Sequence, residues 1–145
     1  MDTEEAKRLA FKALAHAVAD EPLEVADVLE VLGHGCTDNQ MYGVCCGFAN
    51  AGKQMLERLH GVRIGTGGAM VALRELVPGA AEQDPPQAFA VRFFAAASNG
   101  DDAMTLALFN AAVAAGGEQY VDSVCALLAS VAGICRLALE APACE

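Results

Sequence analysis

The hydrophobic pattern is strongest in the last third of the chain, where apolar residues surround most of a predicted helix from Glu118 to Leu139. A helix that is apolar nearly all round lies inside a bundle, lies in a subunit interface or crosses a membrane. The uncharged run from Ser123 to Cys135 has 13 residues, fewer than the roughly 20 that a membrane span needs. We therefore expect a central or interfacial helix. Its best inward stripe, at steps of three and four, is Val121, Val124, Leu128, Val131, Cys135 and Ala138, widened by Leu127, Ile134 and Leu139.

Helical periodicity and capping residues predict further helices through the rest of the chain. Thr37 followed by Gln40 is a capping-box pattern, in which each residue bonds a free backbone N–H of the other. The predicted helices run from Thr3 to Ala19, from Pro22 to a stop at Gly33 and Gly35, from Thr37 to Gly61, from Ala69 to Val77, and onward from the N-caps Asp84 and Asp101. Their inward residues include Leu23, Val31, Met104, Ala107, Leu108, Ala111 and Ala115.

These elements predict an all-α fold, a bundle of six or seven helices with the C-terminal helix central or interfacial. A chain of 145 residues is long enough to fold as one domain on its own hydrophobic core. We expect a single helical domain over residues 1–145. A subdivision into 1–77 and 85–145 about the Pro- and Gly-containing loop 78–84 is the alternative.

Composition narrows the class of protein. The hydrophobic share of 54% exceeds that of an average domain, which favours a homo-oligomer, most simply a dimer, and leaves room for a second protein as partner. A formal net charge of −10 disfavours binding to nucleic acid or to an anionic membrane surface. The acidic start shows no signal peptide, so a cytoplasmic location is expected. The six cysteines are expected to be reduced, and Cys125 and Cys135 to pack in the core.

The sharpest motif match is Gly47 to Lys53, which fits the phosphate-binding pattern G-x-x-x-x-G-K. The next residue is Gln54, whereas the phosphate-binding loop needs a hydroxyl there for magnesium. The motif also requires a preceding strand, and the local pattern is helical. We therefore interpret its glycines as points of close helix packing.

A basic island precedes a glycine-rich turn in the middle of the chain. Free backbone amides at a helix start can hold an anion, so this is the best small-ligand candidate. The alternative is a loop with ordinary surface charge. The candidate ligand residues are Lys53, Arg58, Arg63, Thr66, Gly67 and Gly68.

Cysteine chemistry and acidic charge give two further candidates. Cys36 lies just before a predicted helix N-terminus, where the helix dipole lowers a thiol pKa, so it is the candidate reactive thiol. The paired Cys-x-x-Cys elements of a zinc site are absent from the sequence, and we predict no metal and no cofactor. Five acids between Asp20 and Glu30 are interpreted as a solvated helix face, with a basic partner as the alternative.

No convergent catalytic set is apparent in the sequence. We therefore expect a small cytosolic helical protein that acts by self-association or protein–protein interaction, as an adaptor or regulatory subunit. Two alternatives remain open. One is a protein or enzyme that binds an anionic ligand near Arg63 to Gly68, and the other is a thiol-based sensor at Cys36.

Overall fold

A computed structural model of the chain describes residues 1–60 and 85–140. Helices account for nearly all of these residues, and the described part of the chain contains no strand. The prediction of an all-α helical bundle is therefore confirmed. The helices are α1 (Thr3–Val18), α2 (Pro22–Gly35), α3 (Asp38–His60), α4 (Pro85–Ser98), α5 (Asp102–Ala115) and α6 (Gly117–Glu140).

The helix starts follow local capping chemistry. The capping box that opens α3 is present: the backbone N–H of Thr37 donates to the side-chain oxygen of Gln40 at 2.9 Å, and the backbone N–H of Gln40 donates to the Thr37 hydroxyl at 3.2 Å. The Asp101 carboxylate accepts from the backbone N–H of Met104 at 3.1 Å and caps α5. Each cap satisfies backbone donors that the first helical turn leaves free.

Helix α6 is the element that the others pack around. It makes its most extensive contacts with α3 and α4 and also contacts α1 and α5. Its inner side chains Leu127, Val131 and Ile134 are almost fully buried. They belong to one hydrophobic core that contains residues from both the first three and the last three helices. The predicted central position of the C-terminal helix is confirmed.

The helices approach most closely at Gly52 of α3. A Cβ atom built there would lie 2.7 Å from a ring carbon of Phe94 on α4 and 3.2 Å from a methyl carbon of Val131 on α6. Only a residue without a side chain fits such a contact. Because the whole G-x-x-x-x-G-K match lies inside α3, its helical interpretation is confirmed, and Gly52 is a packing residue as predicted. Gly47 is different, since a methyl group added there would meet no atom within 4 Å.

The inward faces of α2, α5 and α6 differ from the prediction. On α2, Leu23 and Val31 are exposed, because α2 contacts the bundle mainly through α1. On α5, the buried positions are Thr105, Phe109 and Ala112 rather than the stripe from Met104 to Ala115. This helix turns toward the aromatic residues of its neighbours.

The aromatic contacts explain the orientation of α5. The ring of Phe109 lies 5.5 Å from that of Tyr42 and 6.0 Å from that of Tyr120, both edge to face. The Thr105 hydroxyl lies 2.8 Å from the Tyr42 hydroxyl and also donates to the Asp102 carbonyl. Thr105 is therefore buried with its polar group satisfied, which a simple hydrophobic pattern does not predict.

On α6, the predicted inward residues Val121 and Leu139 are exposed. By length and composition alone, α6 is the one helix among residues 1–60 and 85–140 that is long and apolar enough to cross a membrane. Half of the most apolar 18-residue stretch of α6 is buried inside the bundle, as is expected for a core helix. The same helix thus has an inner face in the core and an outer face that the described residues leave exposed.

Candidate interaction surfaces

An apolar groove lies between α1 and α3. It encloses about 280 Å³, and its floor includes the buried side chains of Ala10, Val44 and Phe48. Gly43 and Gly47 lie on its α3 side, and a methyl group built on either would meet no atom within 4 Å. Small residues on a helix face thus leave the groove open. We call this feature the α1/α3 groove.

The rim of the α1/α3 groove is also mainly apolar. Phe11 lines it and is 66% exposed, an unusual exposure for an aromatic side chain. Among the described residues of the lining, Lys7 is the only charged one. The groove therefore offers contact area for apolar groups and little chemistry for an anionic ligand.

The second surface is the outer face of α6. Val121 and Leu137 are 56% and 41% exposed, and between them the exposed or half-buried positions are mostly small. We call this face the α6 ridge. It consists of Val121, Asp122, Cys125, Ala129, Gly133, Arg136 and Leu137.

Two shallow depressions border the α6 ridge. One, of about 310 Å³, lies between α2 and α6 and is lined by Ala26 and Leu29 on the α2 side. The other lies beside Pro86 and Gln87 at the start of α4. Both depressions share Cys125 and Ala129 of the ridge. The ridge is thus flanked by open, mostly apolar space on both sides.

Charged groups occur at both ends of the ridge. The Arg136 guanidinium donates to the backbone carbonyl of Ala17 at 2.7 Å, which fixes the side chain against the end of α1. Neither Arg136 nor Asp122 forms an ion pair with another described residue. An arginine offers five N–H donors, so this guanidinium retains donors for an incoming group.

Close to the Ala17 carbonyl that Arg136 contacts, the Nδ1 atom of His16 lies 3.0 Å from a carboxylate oxygen of Glu21, within hydrogen-bonding distance. This contact joins the end of α1 to the start of α2, where Asp20 adopts a positive φ of 59°. Asp20 and Glu21 also line the depression beside α2. The acidic side chains of the predicted face from Asp20 to Glu30 are all exposed, in keeping with a solvated helix face.

The predicted anion site is only partly described. Lys53 and Arg58 lie on α3, half-buried and exposed respectively, and neither lines the α1/α3 groove or the depression beside α2. Arg63, Thr66, Gly67 and Gly68 lie outside the described residues, as do the predicted short helix 69–77 and the loop 78–84. The anion site and the domain subdivision therefore stay predictions.

The described cysteines differ in their burial. Burial raises the pKa of the half-buried Cys36 thiol, an effect that the positive amino terminus of Met1 only partly opposes. A raised pKa reduces the thiolate fraction at neutral pH, and the reactive thiol at Cys36 stays a prediction. Burial strongly raises the pKa of the fully buried Cys45. Cys125, expected to pack in the core, is instead exposed on the α6 ridge, whereas Cys135 is buried.

No group of three potential metal-binding side chains occurs within residues 1–60 and 85–140. The sequence pattern did not single out the α6 ridge, because the predicted stripe followed the larger apolar side chains. The small residues Cys125, Ala129 and Gly133, spaced four apart, are the signal that identifies it.

No protein-family model matches the chain, and no curated protein or solved structure shows significant similarity to it.

Proposed function

We propose that this protein acts by association, as a homodimer in the cytoplasm that serves as an adaptor or regulatory subunit for a second protein. The observation that carries the proposal is the exposure of the α6 ridge. The most hydrophobic long helix of the bundle has a buried inner face and a second, exposed face with Val121 and Leu137 at its two ends. Exposed apolar patches of this kind mark protein interaction sites.

The rest of the surface supports the same proposal. Large hydrophobic side chains that are more than 40% exposed also occur on α1, α2 and α5, and the α1/α3 groove adds an open apolar recess. Association would remove such surface from water, with a gain of about 25 cal/mol for each Å² of apolar area. A dimer that covers one face would leave the other surfaces free for a second protein.

The proposal is tested by the mass of the freshly purified, reduced protein in solution. Native mass spectrometry and light scattering after size exclusion are expected to give twice the chain mass of 15.0 kDa. The dimer fraction should fall on dilution according to a single dissociation constant. A protein that remains monomeric up to about 100 μM, a concentration at which weak specific dimers are populated, would contradict self-association.

The same spectra also test the alternative of a bound ligand. A mass increment that is retained under native conditions and lost on denaturation would support a small-molecule site. The size of that increment would distinguish a metal ion from an organic anion.

A further inference from the structure

We infer that the homodimer forms through the α6 ridge, with the two α6 helices antiparallel and the two-fold axis passing beside Ala129. This inference rests on the proposed self-association and adds its geometry. The partner is a second copy of the chain. Three properties of the ridge carry the inference: its room for a helix, its symmetry and its charges.

The middle of the ridge has room for a second helix. Cys125, Ala129 and Gly133 occupy this region, and a Cβ built on Gly133 would meet no atom within 4 Å. Small side chains allow two helix axes to approach to about 8 Å, the short end of the usual range. The depressions beside α2 and α4 leave space on both sides of such a helix.

The ridge is symmetric about Ala129. Cys125 and Gly133 lie four residues before and after it, and Val121 and Leu137 lie eight residues before and after it. In an antiparallel two-fold pair, residues equidistant from the axis face each other across the interface. Cys125 then lies opposite Gly133 of the other copy. Val121 and Leu137 point about 80° away from Ala129 around the helix, so they border the small-residue centre on its two flanks.

Charge complementarity selects the antiparallel orientation. Asp122 lies seven residues before Ala129, and Arg136 lies seven residues after it. Two turns of helix separate each from the axis, so both lie on the ridge side. The antiparallel pair brings Asp122 of each copy opposite Arg136 of the other and forms two ion pairs. A parallel pair would instead oppose Asp122 to Asp122 and Arg136 to Arg136.

The charges available at this surface agree with that arrangement. Neither Asp122 nor Arg136 has an ionic partner among the described residues, and the Ala17 carbonyl holds the arginine in place. A pre-positioned guanidinium loses less side-chain entropy on pairing. Glu118 and Glu140 also lie equidistant from Ala129, eleven residues away. Both acids are exposed and lie about 16 Å from Ala129 along the helix, so solvent and salt screen the repulsion between Glu118 of one copy and Glu140 of the other.

The first experiment reverses the charges. Asp122→Arg places two arginines opposite each other at both ends of the interface, and we expect the dimer dissociation constant to rise about 30-fold. The double variant Asp122→Arg with Arg136→Asp restores opposite charges and is expected to return the constant to within about threefold of wild type. Asp27→Arg, an equal charge change on the exposed face of α2, is the matched control and is expected to leave dimerisation unchanged.

The second experiment traps the interface. Ala129→Cys in a Cys125→Ser background should form a disulfide-linked dimer under mild oxidation, because the two introduced thiols meet at the axis within disulfide reach. Wild-type Cys125 should not link to its counterpart. The two Cys125 residues lie eight positions apart along the paired helices, about 12 Å, beyond the reach of a disulfide. Peptide mapping identifies the linked pair.

The outcomes separate the inference from the proposed function. A wild-type protein that is monomeric overturns self-association itself. A wild-type dimer that neither Asp122→Arg weakens nor Ala129→Cys traps overturns the α6 interface alone and directs attention to the α1/α3 groove. A dimer that oxidation links through native Cys125 overturns the antiparallel orientation. The inference is supported if Asp122→Arg weakens the dimer, the added Arg136→Asp restores it, and Ala129→Cys forms a disulfide across the interface.

Discussion

Replacement of Gly52 by Ala tests the closest helix contact in the bundle. The added methyl group would lie 2.7 Å from a ring carbon of Phe94 and 3.2 and 3.4 Å from the two methyl carbons of Val131. Both neighbours are fully buried, and the β-branched Val131 has few rotamers available. The neighbouring helices must therefore shift to accommodate the methyl group. Gly47, five residues earlier on the same helix, provides the matched control because its added methyl would meet no atom within 4 Å.

The magnitude follows from comparison of the two variants. Alanine is favoured over glycine inside a helix by about 1 kcal/mol, and this gain applies to both positions. Overpacking of a core costs about 1–3 kcal/mol and applies only to Gly52→Ala. The difference in unfolding free energy between the variants therefore reports the packing contact alone, and we expect Gly52→Ala to be about 2 kcal/mol less stable than Gly47→Ala. Gly47→Ala itself should be slightly more stable than wild type.

Urea unfolding followed by far-ultraviolet circular dichroism gives both free energies by linear extrapolation. All three proteins should be measured at one protein concentration, because dimer formation makes apparent stability concentration-dependent. Equal m-values would show that the variants unfold from comparable states. If Gly52→Ala proved as stable as Gly47→Ala, the close packing of α3 against α4 and α6 would be refuted.

Three other predictions concern a cap, a turn and a titration. Thr37→Ala removes one half of the α3 capping box and should lower the unfolding free energy by about 1 kcal/mol, whereas Thr3→Ala, which removes no cap, should change it little in the same urea assay. Gly116 joins α5 to α6 with φ 66° and ψ −178°, a region open essentially only to glycine, so Gly116→Ala should cost about 1–3 kcal/mol, and an unchanged unfolding midpoint would contradict this. Burial raises the pKa of Cys45 above its ordinary value of 9.0. The contribution of this group to the unfolding free energy is therefore complete below pH 9.0. It is lost as the pH rises further, because the thiol ionises in the unfolded chain and stays neutral in the folded one. The unfolding free energy of wild type should therefore fall by about 1 kcal/mol more per pH unit above pH 9 than that of Cys45→Ala. If the unfolding free energies of the two proteins changed in parallel with pH, this prediction would be wrong.

The helical pattern of the chain was predictable because helix formation depends on neighbours close in sequence. The caps at Thr37 and Asp101 and the start of α2 at Pro22 were visible in the sequence for that reason. So was the helical nature of the segment from Gly47 to Lys53, despite its resemblance to a phosphate-binding motif. The apolar wrapping of α6 also indicated its central place.

The orientation of each helix depended on residues distant in sequence. Tyr42 and Tyr120 decided which face α5 buries, because their rings contact Phe109. The sequence of α5 itself does not show where these two rings lie. A hydrophobic stripe gives the apolar side of a helix, but when a helix is apolar nearly all round it cannot distinguish the side that meets the core from the side left outside.

Helix α6 shows which properties the sequence by itself determines and which depend on the tertiary structure. Its composition determined that it would be helical and largely buried, since both properties follow from side-chain size and spacing. Only the tertiary structure decided that Leu127 and Val131 face the core while Val121, Cys125 and Leu137 lie outside. The physical reason is that α3 and α4 can cover only one side of a cylinder. The side they leave open is where small residues and opposite charges lie symmetrically about Ala129.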